Sequence, residues 1–538
     1  LGNIKGSTTD RADRADAASD RDERVATTTT QGQRDPPAPL ISSGRATTTV
    51  EEREISSFND RGNEFFSRGE YDAALRMYSE ALKLLKNNNI VIEGDYLEDY
   101  MPQDMRKVRT ARCRVNVGAV HIRREKYSDA ISALGLSMRQ SRLVDLSSVH
   151  YYRAMEVMAD SLENVGLVLF KQKSYEQAST MYTDSIEARQ KCLDLIEQSK
   201  KKGSKTKEED ANKHQDERNS CLLELSDTLF YMALLRERQG NIEDAVAVCE
   251  KAISLRREVM PNAKQDPNSP NLFSTIGRLY CHETIKRHQE ALGYFHEVHR
   301  MKCEAVGRDH VDVVPSLNSI AFIYNQVGDY KKALVLSDRA IDMSSNGRAL
   351  NKEACVAFAN KGDAHRSSGE YEKAVLSYET ALSTQLKCLG ENDLLNAEVY
   401  EKLSETYIDS NDIYKGISAL ESSISVKRIA LGPDNEELAR SYSKLGEYYK
   451  RSGYHGHESG IRCHTRALRI FKHHDNKQMA AIEHNKIAGI LKLSGEDNKA
   501  LEHYMAALWH SREAKLPSTD PIVADTIKNV ASFQAQKG

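Results

Sequence analysis

Apolar and small residues recur with a fixed period along most of this chain. Residues 316–341 (SLNSIAFIYNQVGDYKKALVLSDRAI) and 357–382 (AFANKGDAHRSSGEYEKAVLSYETAL) carry the same four markers at one constant offset. In each copy, apolar residues at helical spacing stand on both sides of a glycine-containing turn, which predicts a helix, a tight turn and a second helix. The markers are Gly328, Tyr330, Ala333 and Ala340 in the first copy, and Gly369, Tyr371, Ala374 and Ala381 in the second.

Ten copies of this pattern follow one another from residue 51 onwards. A small residue marks the second helix of each copy, where two helices must approach closely, and the last five intervals between these markers are nearly equal in length. The segment 519–536 (TDPIVADTIKNVASFQAQ) predicts one more helix of the first type. The ten markers are Ala74, Ala130, Ala178, Ala245, Ala291, Ala333, Ala374, Gly416, Gly460 and Ala500.

This arrangement resembles the tetratricopeptide repeat (TPR). The resemblance implies an all-α, right-handed superhelical solenoid of about ten helix–turn–helix repeats with a C-terminal capping helix. Each helix pair has an apolar stripe that it cannot bury alone, and stacking on the next pair buries it. A terminal helix is then needed to cover the last apolar face.

Changes in composition and repeat type divide the chain into five predicted segments. Residues 1–50 contain no aromatic residue and seven basic and seven acidic side chains, which predicts a disordered, low-complexity tail. The insert 87–104 is acidic and aromatic, and it is either a surface loop or a segment that occupies the chain's own groove. The segments are the tail 1–50; an N-terminal TPR pair 51–142 with insert 87–104; repeats three and four, 143–262, with a Lys-rich linker 199–210; repeats five to ten, 263–515; and a capping helix and tail, 516–538.

Charge and cysteine content exclude several classes of function. The net charge is −3, so we expect no nucleic-acid partner. The nine cysteines are scattered without a Cys-x-x-Cys pair, which favours a reducing, cytoplasmic location. The sequence has no run of about 18 apolar residues, so we expect no membrane insertion.

The C-terminal repeats resemble those of kinesin light chains. Their period is longer than the ~34 residues of the plain TPR. The connectors VGRDHVDV (306–313), LGENDLLNA (389–397) and LGPDNEELA (431–439), together with LNSIAFIY (317–324), also carry this resemblance. It covers roughly residues 250–535 and implies a cargo-adaptor role.

The N-terminal pair resembles the co-chaperone TPRs of large immunophilins, in RGNEFFSRGEYDAALRMYSEAL (61–82) and VNVGAVHIRREKYSDAI (115–131). That family holds acidic chaperone tails with two Asn and three basic residues. Asn63 and Asn116 match the two Asn positions. The basic positions fall on Asn59, Asp160 and Asn164, which cannot supply the positive charge that a carboxylate needs. The resemblance therefore argues against chaperone-tail binding.

First helices line the concave face of TPR arrays, so polar residues on them are candidate peptide ligands. Amides there can bond an extended peptide backbone independently of its sequence. The predicted peptide-binding residues are Asn63, Asn116, Asn318, Asn360, Lys402, Lys444 and Asn485.

Catalytic and metal-binding motifs are absent from the sequence. No phosphate-binding glycine loop, Gly-x-Ser-x-Gly or His-Glu-x-x-His pattern occurs, so we expect no catalytic residues and no cofactor. His296, His299 and Cys303 share one helix face near His282 and His288, but no tetrahedral motif closes around them. The same holds for His455, His457, Cys463 and His464. We predict exposed helix faces rather than metal sites.

These observations favour a non-enzymatic, cytoplasmic scaffold that binds protein or peptide partners. The alternatives are a kinesin-light-chain-like cargo adaptor and, less favoured, a co-chaperone. The sequence predicts neither the partner nor the oligomeric state.

Overall fold

A computed structural model describes residues 50–86, 101–148, 150–202, 208–260, 269–345 and 351–537. These residues form two compact units, divided between Glu304 and Ala305, and each is described separately. The predicted tail 1–50 and insert 87–104 lie almost wholly outside the described residues, so neither interpretation is tested. The five predicted segments follow repeat type, which is a different criterion from compactness, and they stay predictions.

Ten of the described helices occupy the N-terminal unit. They form five consecutive pairs, and the second helix of each of the first four pairs packs on the first helix of the next. The helices are α1 (Val50–Ser67), α2 (Tyr71–Lys86), α3 (Gln103–Arg123), α4 (Tyr127–Arg142), α5 (Tyr151–Lys171), α6 (Tyr175–Lys202), α7 (Glu208–Arg238), α8 (Ile242–Val259), α9 (Ser269–Tyr280) and α10 (His288–Val306), whose last two residues fall beyond the division.

Eleven of the described helices occupy the C-terminal unit, again as five pairs followed by one further helix. They are α11 (Val314–Val327), α12 (Tyr330–Ser345), α13 (Lys352–Ser367), α14 (Tyr371–Leu389), α15 (Leu394–Asp409), α16 (Ile413–Leu431), α17 (Glu436–Arg451), α18 (His457–His473), α19 (Lys477–Leu493), α20 (Asp497–Glu513) and α21 (Pro521–Lys537). The predicted all-α array of ten helix pairs is thereby confirmed.

Small residues allow the close helix contacts that the sequence predicts. All eight alanine markers of the second helices have no exposed surface. Gly362 of α13 faces the fully buried ring of Tyr378 on α14, and a Cβ added at Gly362 would lie 2.5 Å from that ring. Gly62 and Gly166 face Tyr78 and Tyr182 in the same way. The repeated glycine–tyrosine spacing therefore encodes the packing of these three pairs.

The turns between paired helices use left-handed backbone, and glycine is not always present. Gly328 ends α11 with a φ of 87°, which glycine adopts without strain. Glu125, Lys173 and Asn411 stand at the corresponding turns with φ of 57°, 61° and 65°. Asn adopts this backbone region more readily than Glu or Lys. The left-handed turn is nevertheless kept at Glu125 and Lys173, where neither glycine nor asparagine marks it in the sequence.

The predicted capping helix is α21. Phe533, 3% exposed, lies with its ring centroid 6.0 Å from that of Tyr504 on α20. Val530 packs against the same cluster, which includes Ala488 of α19. The cap therefore covers the apolar face of the last helix pair.

The predicted Lys-rich linker 199–210 needs a correction. Helix α6 continues to Lys202 and α7 begins at Glu208, so helix occupies most of this stretch; residues 203–207 lie outside the described part. Lys and Glu are good helix formers, so a run of them extends a helix more readily than it ends one. Clustered charge alone is a poor sign of a linker here.

Candidate functional site

The first helices of the C-terminal unit present two rows of side chains with the repeat's own period. We call the surface that α11, α13, α15, α17 and α19 share the first-helix face. One row holds Asn360, Lys402, Lys444 and Lys486, which are evenly spaced by one repeat length. The other row holds Phe322, Asp363, Glu405 and Glu447.

Ion pairs join the two rows between successive helices. Lys402 Nζ lies 2.5 Å from Asp363 Oδ2, and Lys444 pairs with Glu405 in the same register one helix later. Both lysine side chains remain about one third exposed, at 34% and 33%. An ammonium group has three N–H donors, so each lysine still has donors to offer outward.

Glu405 has two cationic partners on this face. It also pairs with Arg366 of α13, whose Nε donates to Asp409 at 2.8 Å. Burial alone would raise the pKa of Glu405, but Lys444 and Arg366 together hold that pKa below its usual value. Burial likewise opposes the charge on Lys444, yet Glu405 raises the pKa of Lys444 above its usual value. Both groups therefore stay charged at neutral pH.

Two of the predicted amides are used inside the fold. Asn318 and Asn360 are only 3% and 5% exposed. Asn360 Nδ2 donates to the carbonyl oxygen of Asn318 at 2.9 Å, and Asn318 Nδ2 donates to that of Glu353 at 3.0 Å. Asn325, which was not predicted, donates to the carbonyl oxygen of Asn360 at 2.9 Å. These amides join α11 to α13, so their donors are engaged by the chain itself.

The remaining predicted amides lie in different surroundings. Asn485 Nδ2 donates to Thr526 Oγ1 at 2.5 Å and so holds the cap α21 against α19. In the N-terminal unit, the side-chain oxygen of Asn63 accepts a hydrogen bond from the Tyr78 hydroxyl at 2.7 Å. Asn116 is half-buried. The first-helix face therefore presents Lys402 and Lys444 in the same register on α15 and α17, as two partly exposed members of the predicted set.

The two rows would predict a third ion pair, between Lys486 and Glu447. A buried network that the sequence analysis did not predict takes its place. Lys486 Nζ bonds Ser443 Oγ at 2.7 Å instead of pairing with Glu447. Ser443 donates to Glu483 Oε1 at 2.6 Å, and His464 Nδ1 lies 2.8 Å from Glu483 Oε2. His464 and Glu483 have no exposed surface. The sequence signal that could have indicated this network is His464, which stands where several other repeats have Tyr or Phe.

The first helices of the N-terminal unit carry a different charge cluster. Asp160, which falls at a basic position of the co-chaperone pattern, pairs with Arg112 and with Arg189, the latter at 2.8 Å. Burial opposes its ionisation, but the two guanidinium groups hold the pKa of Asp160 below its usual value. Arg189, 2% exposed, also bonds Glu163 at 3.1 Å and pairs with Glu224.

Negative charge is in excess in this cluster. Arg112 also pairs with Glu156 at 2.8 Å, so two guanidinium groups face four carboxyl groups. Burial, together with the nearby carboxylates of Asp160 and Glu156, raises the pKa of Glu224 to about 8, although Arg189 opposes that shift. A charge cluster with this excess of carboxyl groups is unsuited to binding the acidic tail of a chaperone.

The candidate metal ligands do not converge, but the predicted exposed face is wrong for Cys463 and His464, which are 7% and 0% exposed because both pack into the interior of the repeat. Cys303 Sγ lies 3.5 Å from His299 Nε2, but within the part of the chain that the structure describes, no three His, Cys, Asp or Glu side chains are placed to hold a metal ion. Among the described helices, none is long and apolar enough to cross a membrane.

Family models for the tetratricopeptide repeat match residues 227–259, 282–312 and 357–389. The last of these ranges covers α13 and α14, the pair with the Gly362–Tyr378 contact. This chain is a tetratricopeptide-repeat protein. Repeats of this family bind protein partners and are generally non-catalytic, so in general terms the protein is a protein–protein interaction scaffold.

The chain is also similar to a protein related to kinesin light chains, in agreement with the predicted resemblance. Protein KINESIN LIGHT CHAIN-RELATED 1 of Arabidopsis thaliana is 25% identical over 132 residues, which are 24% of this chain and 22% of that protein. The match thus spans about a fifth of the length of the curated relative. Among solved structures, BtubC (BKLC) from P. vanneervenii is 17% identical, covers 44% of this chain and 94% of its own, and has a TM-score of 0.37. The apo form of RapI is 14% identical, with coverages of 54% and 99% and a TM-score of 0.36.

Proposed function

We propose that this TPR protein is a non-catalytic scaffold that captures an extended peptide segment along the first-helix face of residues 305–538. The observation that carries the proposal is the repeated pairing of the partly exposed Lys402 and Lys444 with the carboxylates one helix earlier. Neighbouring helices pack about 8–10 Å apart, and an extended chain advances about 3.3 Å per residue. One helix therefore corresponds to about three peptide residues, so a regular ligand can meet each lysine in turn.

Acidic peptide side chains suit this face best. Lys402 and Lys444 each use one donor on Asp363 or Glu405 and can direct another towards the ligand. Arg440 of α17 adds an exposed guanidinium. Because Asn318 and Asn360 are engaged in the fold, the contact relies on the two lysines, with Asn63, Asn116 and Asn485 as secondary candidates.

A cargo-adaptor role is the second candidate, favoured by the match to a kinesin light chain-related protein. Co-purification of a kinesin heavy chain would distinguish it from a general scaffold. The co-chaperone role is not favoured, because Asp160 and its neighbours place excess negative charge where a chaperone tail needs cations. We also propose a cytoplasmic location, which suits the nine cysteines, because they form no disulfide bond in the part of the chain that the structure describes.

The test begins with selection of peptides from a random display library against the full chain, followed by affinity measurements by fluorescence anisotropy. We expect the double variant Lys402→Gln/Lys444→Gln to bind a selected peptide about tenfold more weakly, since each partly exposed ion pair with the peptide is worth up to about 1 kcal/mol. The matched control is Lys373→Gln/Lys415→Gln, which removes two lysines that lie on second helices and pair with the acids at the N-caps of those helices. Equal affinity of both double variants, or failure to select any peptide, would contradict the proposal.

A further inference from the structure

Three histidines meet inside the last helix pair. His484 lies on α19, and His503 and His510 lie on α20; we call them the histidine cluster. His484 Nδ1 is 3.0 Å from His503 Nδ1, and the ring centroids are 5.1 Å apart. The ring of His510 stacks on that of His484 with centroids 5.3 Å apart and planes 21° apart. The cluster is therefore part of the α19–α20 packing.

Two ring nitrogens of the cluster are buried without a hydrogen-bond partner among the described residues. These are His484 Nε2 and His510 Nδ1, in side chains only 7% and 9% exposed. A buried polar atom is tolerated far better as a neutral acceptor than as an unsatisfied charged donor. The packing thus suits neutral imidazoles.

The charged groups around the cluster add little that would stabilise imidazolium ions. Cations approach it from α18 and from the start of α19, and two acids lie on α20. The titratable groups facing the cluster are Lys472 on α18, Lys477 on α19, and Glu502 and Glu513 on α20.

Burial first, and then Lys472, lowers the pKa of His484 to about 3. Burial also lowers the pKa of His503 and of His510. Each folded-state pKa therefore lies below the unfolded value near 6.5. The neutral histidine cluster therefore adds to the free energy of unfolding above about pH 6.5. This contribution is lost as the pH falls from 6.5 towards the folded-state pKa values.

We propose that the histidine cluster makes the last helix pair acid-labile, so that protonation separates α19 from α20 and releases the cap α21. An Nδ1–Nδ1 hydrogen bond needs one neutral ring as acceptor, and protonation of both rings turns it into a repulsive contact between two N–H groups. Separation of α19 from α20 also divides the apolar cluster in which Ala488 of α19 packs with Tyr504 and Phe533, so the cap can no longer keep both its apolar contact with α20 and the Asn485–Thr526 hydrogen bond to α19. Tandem repeats open locally because each repeat contacts only its neighbours.

Acid opening would also shorten the first-helix face. Helix α19 supplies Lys486 and Asn485 to that face, so a ligand that reaches α19 is released as the pH falls. This consequence rests on the proposed function, whereas the opening itself does not and is measured without any ligand.

The experiment is hydrogen exchange with mass spectrometry on the full chain at pH 7.5 and pH 5.5, with rates corrected for intrinsic exchange. For a histidine with an unfolded pKa near 6.5 and a folded pKa near 3, the opening equilibrium of residues 477–537 should rise about tenfold at the lower pH. His503 and His510 add to this rise, so in the variant His484→Gln the rise should be about tenfold smaller than in the wild type. Helices α11–α14 serve as the internal reference and should change little.

The matched control is His473→Gln, which removes an exposed histidine from the end of α18 and should keep the full pH response. If His484→Gln does not fold, His503→Gln tests the same Nδ1–Nδ1 bond from a half-exposed position. A wild-type chain with no pH-dependent opening of residues 477–537 would overturn the proposal. So would a histidine-cluster variant that keeps the wild-type response.

Discussion

The variant Arg189→Met is expected to lose about 3–5 kcal/mol of local stability, the range for breaking one partner out of a buried ion cluster. Arg189 is 2% exposed, and its guanidinium group donates to Asp160, Glu163 and Thr228 at 2.8–3.1 Å. Methionine fills part of the volume but supplies no charge. Several carboxylates then remain buried against a single guanidinium, that of Arg112.

Hydrogen exchange in the peptides of α5, α6 and α7 measures this loss. Stability in a repeat array is distributed between neighbouring repeats, so the effect should be confined to this region and absent from residues 305–537. The control is Arg300→Met, which removes an arginine that pairs with Glu297 and Glu304 at the surface and should cost less than about 1 kcal/mol. Equal effects of the two substitutions would contradict the account of the cluster.

The variant Glu483→Ala is expected to destabilise α17–α19 by about 3–5 kcal/mol, because it leaves two buried donors without an acceptor, each at about 1–3 kcal/mol, and a cavity in place of the carboxyl group. Glu483 accepts hydrogen bonds from Ser443 and His464, and its side chain has no exposed surface.

A graded series tests this second expectation by thermal unfolding and by hydrogen exchange in α17–α19. Glu483→Gln keeps one acceptor oxygen and should lose less than Glu483→Ala. Glu421→Ala removes an exposed carboxylate that accepts one hydrogen bond from Tyr449 and should change stability by less than about 1 kcal/mol. If Glu483→Ala proves as mild as Glu421→Ala, the network around His464 is not structural.

The fold could be predicted from the sequence because its helix packing uses small residues at a fixed period. A side chain at Gly362 would collide with Tyr378, and the alanine markers have no exposed surface, so the fold tolerates few alternatives there. The same physics places Phe533 of the cap against Tyr504. Period and residue size together therefore predict which helices exist and which faces they bury.

The side-chain contacts of the candidate site could be predicted less well, because they join residues that lie a whole repeat apart in the sequence. Asn360 and Lys402 stand at the same register, yet Asn360 turns into the seam between α11 and α13, while Lys402 reaches Asp363 at the surface. A sequence gives the face of a helix but not which rotamer or partner a polar side chain takes. The expected ion pair between Lys486 and Glu447 is replaced by the network of His464 and Glu483. The partners in that network cannot be predicted from the period of the repeat.

The central claim is that ligands bind the first-helix face, and site-specific photo-crosslinking tests it most directly. A benzophenone amino acid replaces either Phe322 on α11 or Leu376 on α14, which are both exposed apolar residues, at 41% and 66%, but lie on helices of different type. With a peptide selected by display, the account predicts a crosslinked adduct at position 322 and none above background at position 376. Crosslinking at position 376, or equal yields at the two positions, would contradict it.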